Sequence, residues 1–151
     1  MRRIGWTAVA VATVAVLASG TRIFAAGDQE NEGGRRQREC SLETLRGRYV
    51  FTARGFNIVA GVAQPKAILE IVDFNGDGTL TVPAATVSIN GNIVRALPSV
   101  GTYALDESCL GTIAFGGPIY DIFVEQTGKE FWLIQTNPNT VFQGTATRLS
   151  R

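Results

Sequence analysis

Thr86-Val87-Ser88-Ile89-Asn90-Gly91-Asn92-Ile93-Val94-Arg95-Ala96 decides the fold. Two short runs rich in β-branched residues flank Asn-Gly, a pair that accepts the positive φ angles of a tight hairpin turn. The strands so joined, Thr86–Ile89 and Ile93–Ala96, must be antiparallel, because a parallel pair needs a crossover of a dozen or more residues. The same pattern runs outward in both directions. Upstream lie Tyr49–Arg54, Lys66–Phe74 and Thr79–Val82, the last two separated by Asn75-Gly76-Asp77-Gly78. Downstream lie Gly101–Leu105, Gly111–Phe115 and Ile119–Gln126, then Phe131–Thr136 after a Thr127-Gly128-Lys129 turn, then Val141–Arg148. Each segment is closed by Gly, Asn, Asp or Pro, and no helical period separates them.

Several of these strands are apolar on both faces. Tyr49, Phe51 and Ala53 alternate with Val50 and Thr52; Ala67, Leu69 and Ile71 alternate with Ile68, Glu70 and Val72. Trp132 and Ile134 alternate with Phe131, Leu133 and Gln135. The chain therefore reads as all-β, an antiparallel up-and-down β-barrel of about eight strands. A two-sheet β-sandwich is the alternative. The even, meander-like connections favour the barrel. No strand carries the long polar-in, apolar-out alternation with aromatic girdles of an outer-membrane barrel. One helical turn is expected ahead of the strands, at Ser41-Leu42-Glu43-Thr44-Leu45, with Ser41 as its cap and Leu42 and Leu45 facing inward.

The head of the chain has a different character. Met1-Arg2-Arg3 precedes an uncharged run from Ile4 to Ala18, and small residues follow at Ser19-Gly20 and Ala25-Ala26. That is the layout of a secretory signal peptide, and the run falls short of the ~20 residues a membrane-spanning helix needs. Cleavage sites after Ala18 and after Ala26 compete. Residues 1–26 are assigned to the signal, 27–39 to a polar linker without hydrophobic residues, and 40–151 to one β-domain. The chain is expected to be secreted or periplasmic, with no stable membrane span after cleavage. From Gly27 onward 11 Lys and Arg face 13 Asp and Glu, a net charge of −2. Such a balance does not suit nucleic acid. The small basic cluster Arg35-Arg36-Gln37-Arg38 sits among acidic residues and reads as solvated tail.

Cys40 and Cys109 are the two cysteines. In an exported chain an even count suggests pairing, and two cysteines allow one connectivity.

Larger pieces of the sequence carry a family likeness. They are Cys40-Ser41-Leu42 with Leu45-Arg46-Gly47-Arg48-Tyr49-Val50-Phe51 and Gly55, and Asp73-Phe74-Asn75-Gly76-Asp77-Gly78-Thr79-Leu80. Gly101-Thr102-Tyr103, Ser108-Cys109-Leu110-Gly111-Thr112 and Gly144-Thr145-Ala146-Thr147-Arg148 complete the set. This resembles a group of small secreted bacterial proteins of unassigned function. Their folds are similar to the allene oxide cyclase barrel and, more loosely, to lipocalin-like barrels. The resemblance implies a barrel and a Cys40–Cys109 bridge. It implies no catalytic residue, because the matching positions are turn and strand chemistry and fold likeness does not transfer an activity.

The chemistry on offer is narrow. The chain has no histidine, which removes Ser-His-Asp and Cys-His catalysis and the usual zinc sites. No phosphate loop, dinucleotide fingerprint or nucleophile elbow is present, and no cofactor is expected. Asp73, Asn75 and Asp77 match the first half of a calcium loop, but the twelfth position is Ala84 where a bidentate Glu is needed. The ordinary reading of that stretch is a turn. Glu70 interrupts an apolar run. Its ordinary place is the solvent face of an alternating strand, since carboxylates are seldom buried unpaired. Inside a barrel it would have a raised pKa and act as acid or base. Tyr49, Phe51, Tyr103 and Trp132 are the aromatic candidates for lining a ligand cavity, and the alternative is that they fill the core. The expectation is a secreted, non-enzymatic β-barrel that binds a small apolar ligand or a surface partner. A cofactor-free enzyme of the cyclase or isomerase type is the rival, and a structural envelope protein the third reading. Oligomeric state is left open by the sequence.

Overall fold

The computed structural model describes residues 39–150 apart from Leu97. The signal peptide and nearly all of the polar linker lie outside the described residues. A single 3-10 turn at Leu42–Leu45 leads into nine strands: β1 (Gly47–Val59), β2 (Val62–Phe74), β3 (Thr79–Ile89), β4 (Asn92–Ala96), β5 (Ser99–Leu105), β6 (Leu110–Ala114), β7 (Ile119–Val124), β8 (Glu130–Gln135) and β9 (Thr140–Ser150). Every pairing is antiparallel. The order β2-β1-β9-β8-β7-β6-β5-β3 is closed by a β2–β3 pairing, which makes an eight-stranded barrel. Closure removes the edges of the eight barrel strands, and β4, paired only with β3, keeps a free edge.

β4 is the upper continuation of β5. The lower half of β3 pairs with β5 from Thr79↔Thr102 to Val82↔Ser99, and its upper half pairs with β4 from Ala85↔Ala96 to Ile89↔Asn92. Between these blocks Val82 and Pro83 together oppose Val72 of β2. That is a β-bulge, a place where a strand tolerates a proline that cannot donate to the ladder. The sequence segments Thr79–Val82 and Thr86–Ile89 are thus one bulged strand rather than two. The first hairpin is also longer than its sequence suggests. β1 and β2 pair from Gly47↔Phe74 to Val59↔Val62 around Ala60-Gly61. Ala60 (φ 49°) and Gly61 (φ 78°) take the same left-handed conformation as Asn90 (φ 49°) and Gly91 (φ 82°), the type I′ geometry that matches strand twist.

The barrel has two unlike ends. The floor holds the 3-10 turn and the turns after β2, β5 and β7. The mouth holds the turns after β1, β3, β6 and β8, and there β1 to β4 rise as a wall. Tyr49, Phe51, Val72, Phe74, Leu80, Ile113, Val124 and Phe131 are buried between the strands. Their rings meet edge to face, Phe74 with Tyr49 at 5.2 Å and with Tyr103 at 5.0 Å, the arrangement that ring quadrupoles favour. Leu45 is fully buried and Leu42 packs on the same core. The Ser41 N–H donates to the Thr44 hydroxyl (3.0 Å) at the start of the turn. Cys40 and Cys109 are bonded, with Cα atoms 5.1 Å apart. The bridge pins the entry of the domain to the β5–β6 turn, and it is compatible with an oxidising compartment. Among the described residues no helix is long and apolar enough to cross a membrane.

Candidate functional site

β2 supplies the polar centre of the barrel. Lys66, Ile68, Glu70, Val72 and Phe74 occupy alternate positions of the strand, and this is its inner row. Glu70 stands opposite Phe51 of β1 and Ala85 of β3 and is only 7% exposed. It is an interior carboxyl, not a solvent-face one. Alternation fixes which residues share a face. It does not fix which face is inside when both are apolar.

Three further polar groups gather toward the mouth. Tyr120 of β7 is buried, and its ring meets those of Phe51 (5.7 Å) and Phe115 (5.8 Å). Gln135, at the end of β8, is buried as well and accepts a hydrogen bond from Lys66 Nζ at 3.3 Å. Lys66 Nζ also lies 4.3 Å from the centroid of the Phe142 ring, a cation–π position. Gln135 donates to Asn137 Oδ1 (3.0 Å), and that oxygen accepts the Ile119 N–H (2.7 Å) while Asn137 Nδ2 donates to the Gly117 carbonyl (3.0 Å). Asn137 thereby ties the two mouth turns that frame Gln135 and Tyr120.

The electrostatics follow from burial. Removal from water pushes the Glu70 carboxyl up to about 7, against the opposing pull of the Lys66 charge. Burial lowers the Lys66 ammonium, and Glu70 opposes that. Burial raises the Tyr120 phenol, and the Glu70 charge adds to it. No described residue donates a hydrogen bond to the Glu70 carboxyl. Yet no sealed side-chain nitrogen or oxygen among the described residues lacks a partner. The Glu70 oxygens therefore reach accessible space inside the mouth. A carboxyl poised near neutrality in an apolar wall can donate or accept a hydrogen bond, and can exchange a proton.

Of the aromatic candidates, one converges on this point. Phe51 adjoins it, opposite Glu70 and against Tyr120, whereas Tyr49 and Tyr103 are buried in the floor half. The Tyr49 hydroxyl donates to the Gly128 carbonyl (2.5 Å) and accepts from Arg148 Nε (2.9 Å). Arg148 also donates to the Thr44 carbonyl, and the Tyr103 hydroxyl donates to the Leu42 carbonyl (2.8 Å). These bonds lock the 3-10 turn beneath the barrel. Trp132 lies on the outside, 44% exposed, stacked on Phe123 at 6.0 Å. It borders an outer depression of about 580 Å³ over Gly144, with Thr52, Arg54, Gln143 and Thr145.

The residues of the half calcium loop have other partners. Asp73 forms a two-pronged pair with Arg48 at 2.7 and 2.8 Å, which holds its carboxyl below the usual range. Asp77 Oδ1 accepts from both the Thr79 N–H and the Thr79 hydroxyl (2.9 and 2.6 Å), and Asn75 donates to Thr79 (2.8 Å). The stretch is a hydrogen-bonded turn. Among the described residues no cluster of His, Cys, Asp or Glu is arranged to hold a metal ion.

Lys66, Tyr120 and Gln135 are absent from the candidates that the sequence offers. Only the spacing of Lys66 and Glu70 on one strand face could have paired any of them. Tyr120 and Gln135 arrive from strands about 50 and 65 positions later, through barrel closure. Compared with protein-family models, with curated proteins and with solved structures, the chain matches none.

Proposed function

We propose that this chain is an exported, non-enzymatic β-barrel that takes a small, mainly apolar ligand at its mouth, with one polar group of the ligand meeting Glu70. One observation carries this reading: a carboxyl only 7% exposed that accepts no hydrogen bond from any described residue. Its oxygens reach accessible space, so a ligand hydroxyl, amide or carbonyl can replace water as their hydrogen-bond partner. The closed floor and disulfide give a rigid base, and the apolar neighbours are Ile68, the next inward residue of β2, and Phe115, whose ring meets Tyr120 at 5.8 Å. The test is native mass spectrometry of the protein purified from its own host. A co-purifying small molecule that is retained by the parent and lost from Glu70→Gln supports the reading. A ligand-free parent that also gains no thermal stability from a panel of small amphiphiles overturns it.

A cofactor-free enzyme is the second reading, favoured by the near-neutral Glu70 carboxyl beside Tyr120 and Lys66. Proton transfer to and from a bound carbonyl compound is the step this trio could serve. Turnover of the co-purified molecule with a pH dependence centred near 7, abolished in Glu70→Gln, would decide for it.

A further inference from the structure

We infer that the mouth end of the barrel docks on an anionic lipid surface, with its hairpin tips set into the headgroup boundary. Charge is sorted along the barrel. The mouth turns, Ala60-Gly61, Asn90-Gly91, Phe115 to Pro118 and Thr136 to Asn139, contain no Asp, Glu, Lys or Arg. No charged residue occurs anywhere from Gly55 to Pro65 or from Pro83 to Val94. The floor is charged and acidic on balance: Glu43, Asp77, Asp106, Glu107 and Glu125 outnumber Arg46 and Lys129 in and beside its turns. The exposed charges where the uncharged wall begins are Arg54 on β1 and Arg95 on β4, both basic, while the short side of the barrel carries Asp121, exposed on β7. A negative surface therefore favours the wall side of the mouth over the acidic floor.

The apolar side chains there point to a continuous medium. Val59, Val62, Ile93, Val94 and Val141 are each more than half exposed, and they sit on separate tips and strand starts around the mouth. Ile93 and Val94 are successive residues of β4, so they point to opposite faces of the strand, and both are open. A protein partner laid on one face would cover one of them. A lipid interface receives both, together with the other tips. The group also lacks the clustered Trp, Tyr and Arg that anchor protein interfaces. Insertion stays at the headgroup level, because β4 pairs only with β3 and unpaired backbone groups are not tolerated in the hydrocarbon. This inference goes beyond the ligand reading, and its readout does not involve Glu70.

Tryptophan placed on the tip tests it in the full chain. Val62→Trp is compared with Leu149→Trp, which places the same reporter at the floor end, and with the parent protein. The vesicles are equimolar phosphatidylglycerol and phosphatidylcholine with brominated acyl chains. The expected result is a blue-shifted Val62→Trp signal quenched at least threefold more than that of Leu149→Trp. Vesicle affinity should fall at least tenfold in Val59→Asp/Val62→Asp, and also in Arg54→Gln/Arg95→Gln, whose apolar tips are intact. Equal quenching of the two reporters overturns the inference. So does a parent protein that is dimeric in vesicle-free sedimentation and monomeric as Val59→Asp/Val62→Asp, since the tips would then be an interface between copies.

Discussion

Lys66 and Glu70 lie two inward positions apart on β2, and each opposes the shift that burial imposes on the other: the ammonium holds the carboxyl down, and the carboxylate holds the ammonium up. Neither compensation is complete. The carboxyl still rises from its usual 4.5 to about 7.

A pH dependence of stability follows. Because the folded value lies above the unfolded one, the folded protein binds more protons than the unfolded chain between about pH 4.5 and 7. The contribution of Glu70 is fully present below pH 4.5 and is lost as the pH rises through about 7. The loss is on the order of 3 kcal/mol. Glu70→Gln should flatten this slope and leave the variant more stable than the parent at pH 8. Urea unfolding at pH 5, 6, 7 and 8 measures it; parallel slopes for the two proteins would contradict it.

The disulfide spans 69 residues. Loop-closure entropy assigns such a bridge about 4 kcal/mol. Cys40→Ala/Cys109→Ala should lower the free energy of unfolding by about that amount, while far-UV circular dichroism keeps the β signature. Denaturant titration of the variant and of the reduced parent should agree.

At Gly144 the wall of β1 leaves no room for a side chain on β9. A Cβ there would lie 1.9 Å from the Thr52 carbonyl oxygen and 2.6 Å from Ala53 Cα, all fixed by the barrel wall. Gly144→Ala should cost roughly 3 kcal/mol, through overpacking against backbone that cannot yield. Gly117, in the β6–β7 turn, has nothing within 4 Å of its added Cβ and no positive φ. Gly117→Ala should be neutral or slightly stabilising. Thermal melts of the two variants give the contrast.

Ala60 holds a left-handed conformation that an alanine adopts at a cost. Ala60→Asn, which reproduces the Asn-Gly pair of the β3–β4 turn, should stabilise by roughly 0.5–1 kcal/mol. A lower melting temperature for the variant would mean that the tip is held by something other than its turn.

The same residue explains what the sequence did and did not reveal. Asn90-Gly91 was legible as a hairpin because its side chains advertise positive φ. Ala60-Gly61 makes the same turn without the signal, so β1 and β2 extend beyond the segments visible in the sequence. Pro83 looked like a terminus and is a bulge, because β2 carries the pairing past it on the other side. The all-β barrel itself was legible from turn spacing and two-sided apolar strands. Of the candidate site, Glu70 and Phe51 were legible, Glu70 with the wrong default face. The parity of a strand that is apolar on both sides is set by its neighbours around the ring, and those neighbours are far away in sequence.

Cys40 and Ser150, near the two ends of the described chain, both belong to the floor: one is bonded to the β5–β6 turn, and the other pairs with Arg48 at the foot of β1. Anything attached through either end, whether a spacer, an affinity handle or a sensor surface, holds the molecule by its base and leaves the opening presented outward.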